Sequence, residues 1–141
     1  MLRLATAAGP IFLVAIDRLL KMAVEQPFFD GSSARIGWRF VAFERFHNSG
    51  VAFGLPVPFW IVLPLTAVFL VWLVVWARQT RARHAHAALA AIFFGAASNA
   101  FDRIMYGYTI DYLRIIDSII NCADVMIVGG IFLLIFYKRQ T

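Results

Sequence analysis

The chain has 141 residues, of which 62% are hydrophobic and 15% charged, with a formal net charge of +5. Its mean hydropathy is +0.77, and a soluble domain this short could not cover so much apolar surface, so the sequence asks for lipid as its solvent. The length suits one integral membrane domain, 1–141, and the single cysteine, Cys122, excludes an internal disulfide.

Four apolar stretches of about 20 residues each, close to what a ~30 Å hydrocarbon layer requires at 1.5 Å per residue, predict spanning helices. The first, 4–24, carries Asp17, Arg18 and Lys21 and is followed by no small-residue cleavage site, so it is expected to be a retained helix rather than a secretory signal. Asp17 and Lys21 stand four apart on one face, the acid N-terminal to the base, as a self-neutralising pair. The outer segment 25–55 follows. Its middle, 35–46, alternates imperfectly between apolar and charged residues and predicts one or two short strands, with Trp38, Phe40, Phe43 and Phe46 as an interfacial platform.

The second span, 57–77, leads into a basic turn with Arg78, Arg81 and Arg83. His84 and His86 have no acid or cysteine nearby, so no metal site is expected there. The third span, 85–105, contains the small-residue run Gly95-Ala-Ala-Ser98, which lets another helix approach closely. Beyond it Asn99, Asp102 and Arg103 share a face, and Arg103 is the base expected to serve Asp102. Gly107 can turn the chain into a short extended stretch that holds Asp111 opposite Ile110 and Tyr112. In the fourth span, 118–137, a cap at Asp117 or Ser118 would put Asn121 and Asp124 inside the helix.

The fold expected is thus a membrane all-α bundle of four transmembrane helices with a small β-containing extracytoplasmic segment between the first two. Arg3, Arg78, Arg81, Arg83, Lys138 and Arg139 fall on one side if the helices alternate, and the positive-inside rule makes that side, with both termini, cytoplasmic. The eight acids all lie in the outer half of the helices or in the outer loops. Asp17, Asn99 and Asp124 are then expected at one level, about 10 Å below the outer surface.

Charge arithmetic singles out two acids. Asp17 has Lys21 and Asp102 has Arg103, whereas Asp124 has no base within a turn and Asp111 faces away from Arg114. Two carboxylates near a lipid boundary become less costly if they converge and share a proton. That is the arrangement of an aspartyl protease, in which one carboxylate takes a proton from water and its neutral partner donates to the scissile carbonyl. A Ser/His/Asp set cannot form, because His47 alone lies on the outer side, and a Cys122–His47 nucleophile lacks an orienting base. A transporter relaying ions along Asp17, Asp102, Asp111 and Asp124 is the competing class, with a purely structural bundle third. Against a transporter, there are no inverted repeats and the acids stop in the outer half.

Four blocks, in order along nearly the whole chain, resemble the bacterial lipoprotein signal peptidase (signal peptidase II) family. They are Asp17-Arg-Leu-Leu-Lys21, Asn48-Ser-Gly-Val-Ala-Phe-Gly54, Ser98-Asn-Ala-Phe-Asp-Arg103 continuing through Gly107-Tyr-Thr-Ile-Asp111, and Asn121-Cys-Ala-Asp124. The resemblance implies an intramembrane aspartyl endopeptidase of the bacterial inner membrane, active near the outer leaflet. It would remove signal peptides from prolipoproteins just before the diacylglyceryl-modified cysteine. Asp111 and Asp124 would be the catalytic pair. Asn48, Gly54, Asn99, Arg103 and Asn121 would line or support the site, and Asp17, Lys21 and Asp102 would brace the fold. The resemblance also implies inhibition by globomycin-type compounds, no metal or organic cofactor, no nucleic-acid partner and a monomer in the lipid. Ser98 stands where the family usually has glycine, Val51 where it has alanine, and Cys122 where it has a bulky apolar residue. These departures are expected to affect helix packing or substrate preference more than the chemistry.

Overall fold

The computed structural model describes residues 2–29, 35–38, 40–50, 55 and 57–137. Four α-helices carry the fold: α1 (Leu2–Val24), α2 (Phe59–Gln79), α3 (Arg83–Tyr106) and α4 (Cys122–Tyr137). The other helices all pack on α3, and α1 also touches α4. In α2, 21 residues long with an 18-residue stretch of mean hydropathy 2.4, Leu73 is buried while Leu65, Val68, Val71 and Trp72 stay exposed. That surface has the length and composition of a membrane span. Among the described residues α2 alone meets that test outright; α1 and α3 carry charged residues, and α4 is a shorter apolar helix.

Small residues let α3 and α4 approach. A Cβ on Gly95 would lie 2.6 Å from the carbonyl oxygen of Ala123, and one on Gly130 2.8 Å from that of Ala88. The small-residue run at 95–98 therefore does what its composition predicts, with α4 as the partner. At its other end α3 stops where Gly107 takes a φ of +83°, and the Gly107 N–H returns to Arg103 at 3.1 Å.

The outer strands do not form two separate features. β1 (Arg35–Gly37) and β2 (Val41–Asn48) join β3 (Thr109–Ile115) and β4 (Ser118–Ile120) in one antiparallel sheet, ordered β1-β2-β3-β4. The register sets Asn48 opposite Thr109 and Phe46 opposite Asp111, with a shift between Phe43 and Phe46. The expected aromatic platform divides accordingly. Trp38, Phe40 and Phe46 are exposed, but Phe43 turns inward, with its ring 5.8 Å from Phe29 and 5.4 Å from Tyr112. The partners that draw Phe43 inward, Phe29 and Tyr112, come from other segments and cannot be read from its own stretch.

The fourth helix also departs from expectation. Ser118 lies in β4, and α4 begins at Cys122, with Asn121 as its cap: the Asn121 side-chain oxygen accepts the Asp124 N–H at 2.9 Å, and the Asp124 carboxylate accepts the Asn121 N–H at 3.1 Å. This reciprocal pair is a capping box built from Asn and Asp. Asp124 is therefore in the first turn of α4 and not two turns inside it. The β3–β4 hairpin takes up the missing length, and α4 starts below the end of α3.

Substitutions at two glycines should separate packing from backbone strain. Gly95→Ala, which pushes a methyl into the Ala123 carbonyl, is expected to cost about 1–3 kcal/mol. Gly107→Ala meets no atom within 4 Å and pays only for its left-handed backbone, about 1–2 kcal/mol. Thermal midpoints of the two purified variants in one detergent check the order, Gly95→Ala falling further.

Candidate active site

Below the sheet lies a buried charge cluster. Asp17 and Asp102 are 0% exposed and Lys21 is 2% exposed. The Lys21 ammonium reaches Asp102 at 2.7 Å, Asp17 at 3.0 Å and the side-chain oxygen of Asn99 at 3.0 Å. Arg18 approaches Asp102 at 2.7 Å and Asp17 at 3.5 Å. Two acids and two bases thus neutralise one another, as groups removed from water must. The Asp17–Lys21 pair forms as expected, but Asp102 is served by Arg18 and Lys21 from α1 rather than by Arg103, whose guanidinium instead donates to the Gly50 carbonyl at 3.2 Å. Adjacent residues on a helix point about 100° apart, so Asp102 and Arg103 face different neighbours. Ser98 donates to Asp17 at 2.7 Å.

Above this cluster the two carboxylates are held by amides. Asp111, 1% exposed, accepts from Asn48 at 3.0 Å through one oxygen and from Asn121 at 2.5 Å through the other. Asp124 accepts from the Asn99 side chain at 2.8 Å and from the Asn121 N–H. The orientation of each amide is fixed from its far side. The Asn48 oxygen takes the Gly50 N–H, the Asn121 oxygen takes the Asp124 N–H, and the Asn99 oxygen takes Lys21 and the Asn121 side chain. With their acceptors engaged, all three turn N–H groups toward the carboxylates. Asn121 touches both acids at once.

Neither Asp111 nor Asp124 forms an ion pair among the described residues. Burial chiefly, with the nearby charge of Asp124, pushes the Asp111 carboxyl up from 3.8 to about 7, against the opposing hydrogen bonds from Asn48 and Asn121. Arg103 lies within electrostatic reach of both acids. Arg114 turns away and pairs with Glu44, as the strand alternation predicts. Asn99 links Asp124 to Lys21 and so to Asp17, but Asp124 stands in the first turn of its helix and not six or seven residues inside it. Gly54 and Val51 lie outside the described residues. His47 bonds Glu25 at 2.8 Å and stacks on Tyr108 at 4.1 Å, while the Cys122 sulfur faces the Leu13 carbonyl at 3.9 Å, so no Cys122–His47 pair forms. An apolar cavity of about 200 Å³, lined by Leu73, Val74, Leu89 and Phe93 among others, lies toward the other end of the bundle with no carboxylate on its wall.

Arg18 and Tyr112 escaped the sequence reading. Arg18 could have been found from its charge: a second base beside Asp17 needs a second acid, and Asp102 is available. Tyr112 gave no such signal, since alternation marks it only as one more apolar position.

Two measurements follow. Lys21→Met leaves Asp17 and Asp102 short of a cation in the interior and is expected to cost about 3–5 kcal/mol, read as a lowered thermal midpoint or loss of folded protein. A carboxyl with a raised pKa is not penalised below the unfolded value and loses stability as pH climbs through the folded one. Asp111→Asn removes that loss. Whatever constant cost the new amide brings beside Asn48 and Asn121, the stability of Asp111→Asn relative to the parent should rise between about pH 4 and about pH 7 and then level off.

Comparison with known proteins agrees with this architecture. The family model for signal peptidase (SPase) II matches residues 10–138. The lipoprotein signal peptidases of Brucella ovis and Brucella canis are each 30% identical over 136 residues, covering 89% of this chain and 83% of theirs. A bacterial membrane enzyme solved by the in meso method at 2.3 Å resolution superposes with a TM-score of 0.82 at 22% identity, over 98% of this chain and 87% of that one. A second, solved at 1.9 Å, gives a TM-score of 0.79 at 21% identity, over 98% and 92%. The fold is that of a membrane enzyme, and the chain belongs to the signal peptidase II family.

Proposed function

We propose that this chain is an intramembrane aspartyl endopeptidase that cleaves signal peptides from diacylglyceryl-modified prolipoproteins just before the lipidated cysteine. The observation that carries the reading is Asn121, whose side chain donates to Asp111 and whose backbone N–H donates to Asp124. It draws together two carboxylates that are otherwise held by neutral amides.

Such a pair titrates as one unit, and at neutral pH it can hold a single proton. The ionised carboxylate takes a proton from a water molecule as the water oxygen attacks the scissile carbonyl carbon. The protonated partner donates to the carbonyl oxygen, giving a neutral tetrahedral intermediate. Collapse returns a proton to the leaving amide nitrogen as the C–N bond breaks. The amides of Asn48, Asn99 and Asn121 stay neutral throughout and hold the oxygens in place; Arg103 lies near enough to offset negative charge.

The membrane setting supports the same reading. Four helices span the lipid with both termini cytoplasmic, and Arg78 in the last turn of α2 and Arg81 just after it lie on that side. The sheet, with Trp38 and Phe40 exposed on it, rests at the outer surface of the inner membrane. There the lipidated end of a prolipoprotein can lie alongside it, in reach of a monomer. A globomycin-type inhibitor is expected to compete for the same place, and Gly54 to line it.

Cleavage of a purified, diacylglyceryl-modified prolipoprotein tests the assignment. Folded Asp111→Asn and Asp124→Asn variants are each expected to lose about 10²–10⁴-fold in rate. Parental activity in either variant would remove that residue from the chemistry. Ion flux in vesicles without cleavage by the parent would point to transport instead.

A further inference from the structure

Tyr112 follows Asp111 on β3, and its ring packs in a small core with Val24, Phe29 and Ile110. Its hydroxyl does something the ring does not need. It donates to Asp17 at 3.0 Å and accepts the N–H of Cys122, the first residue of α4, at 2.9 Å.

The opening N–H groups of a helix have no partner within it. Around the start of α4 each is met by a side chain. Asp124 takes the Asn121 N–H, Tyr112 takes that of Cys122, Asp17 takes that of Ala123 at 3.4 Å, and Asn121 takes that of Asp124. Two of these acceptors belong to the helix start itself and two come from elsewhere, one from β3 and one from α1. The point at which α4 begins, and with it the place of Asp124, is therefore set from outside the helix.

We propose that Tyr112 is a positioning residue for the carboxylate pair: its hydroxyl pins the start of α4 to β3 and α1 and so sets the separation of Asp111 and Asp124. The inference rests on the reading of those two acids as the reacting pair. Tyr112 is 3% exposed and does not meet substrate. Burial first, and then the charge of Asp17, push its phenol pKa up, so the hydroxyl keeps the proton it donates. Asn121 supplies a second tie between the same two elements through Asp111. Loss of the Tyr112 oxygen should therefore loosen the geometry without dismantling it. A misplacement of about 1 Å in reacting groups can cost ~10²-fold in rate.

Tyr112→Phe keeps the ring and its core packing. It is expected to lower kcat on the lipidated prolipoprotein by about 10- to 100-fold, with KM held within about twofold. Leu73→Ala, in the separate core with Leu89 and Ile92, controls for stability: it should lower the thermal midpoint at least as far with kcat unchanged. Asp111→Asn, run in parallel, tests the underlying reading by itself. A kcat near the parental value in Tyr112→Phe, with Asp111→Asn inactive, overturns the inference and leaves the dyad standing. A kcat that falls in Leu73→Ala in step with stability, as in Tyr112→Phe, makes the role merely structural and overturns it too. Parental activity in Asp111→Asn overturns the dyad, and this inference with it.

Discussion

The ammonium of Lys21 is the interaction on which the rest depends. It is nearly sealed from water and holds Asp17, Asp102 and Asn99 at once. A buried cation survives only where its ligands are arranged around it, so these contacts fix the rotation and height of α1 against α3. Asp17 then receives Ser98, Tyr112 and the Ala123 N–H, and Asn99 presents its remaining donor to Asp124. Charge neutralised below becomes hydrogen-bond direction above. The bracing role expected for Asp17, Lys21 and Asp102 and the presentation of the carboxylates are one network.

Much of this was legible in the sequence where the signal was local. Apolar length located four helices, and the small residues from Gly95 to Ser98 marked the close contact between α3 and α4. Isolation from any nearby base separated Asp111 and Asp124 from the other acids. What was not legible depended on pairing across distance. Asp102 found Arg18 some 84 positions away in sequence, Phe43 turned inward onto Phe29 and Tyr112, and Arg103 reached the Gly50 carbonyl. Helix periodicity states which residues share a face but not what that face meets.

The start of α4 shows the same limit. Asp117 and Ser118 are good capping residues by type, and nothing local argues against them. They lose because β3 needs a partner strand, and Ser118–Ile120 provides it. The chain then caps its last helix with Asn121, whose side chain is also bonded to Asp111. A residue chosen to begin a helix thereby becomes the joint between two acids that stand 13 positions apart in sequence.

The oriented amides around the carboxylates carry a consequence for how the site meets changes in acidity. Asn48, Asn99 and Asn121 neither gain nor lose protons at any physiological acidity. A site lined with histidines would change its contacts with every swing in acidity around neutrality. Here the hydrogen-bonding shell is inert to such swings, and Asp111, pushed up to about 7, lies where they would be felt. A change in acidity is registered at the Asp111 carboxyl, while the amide frame that holds it stays the same.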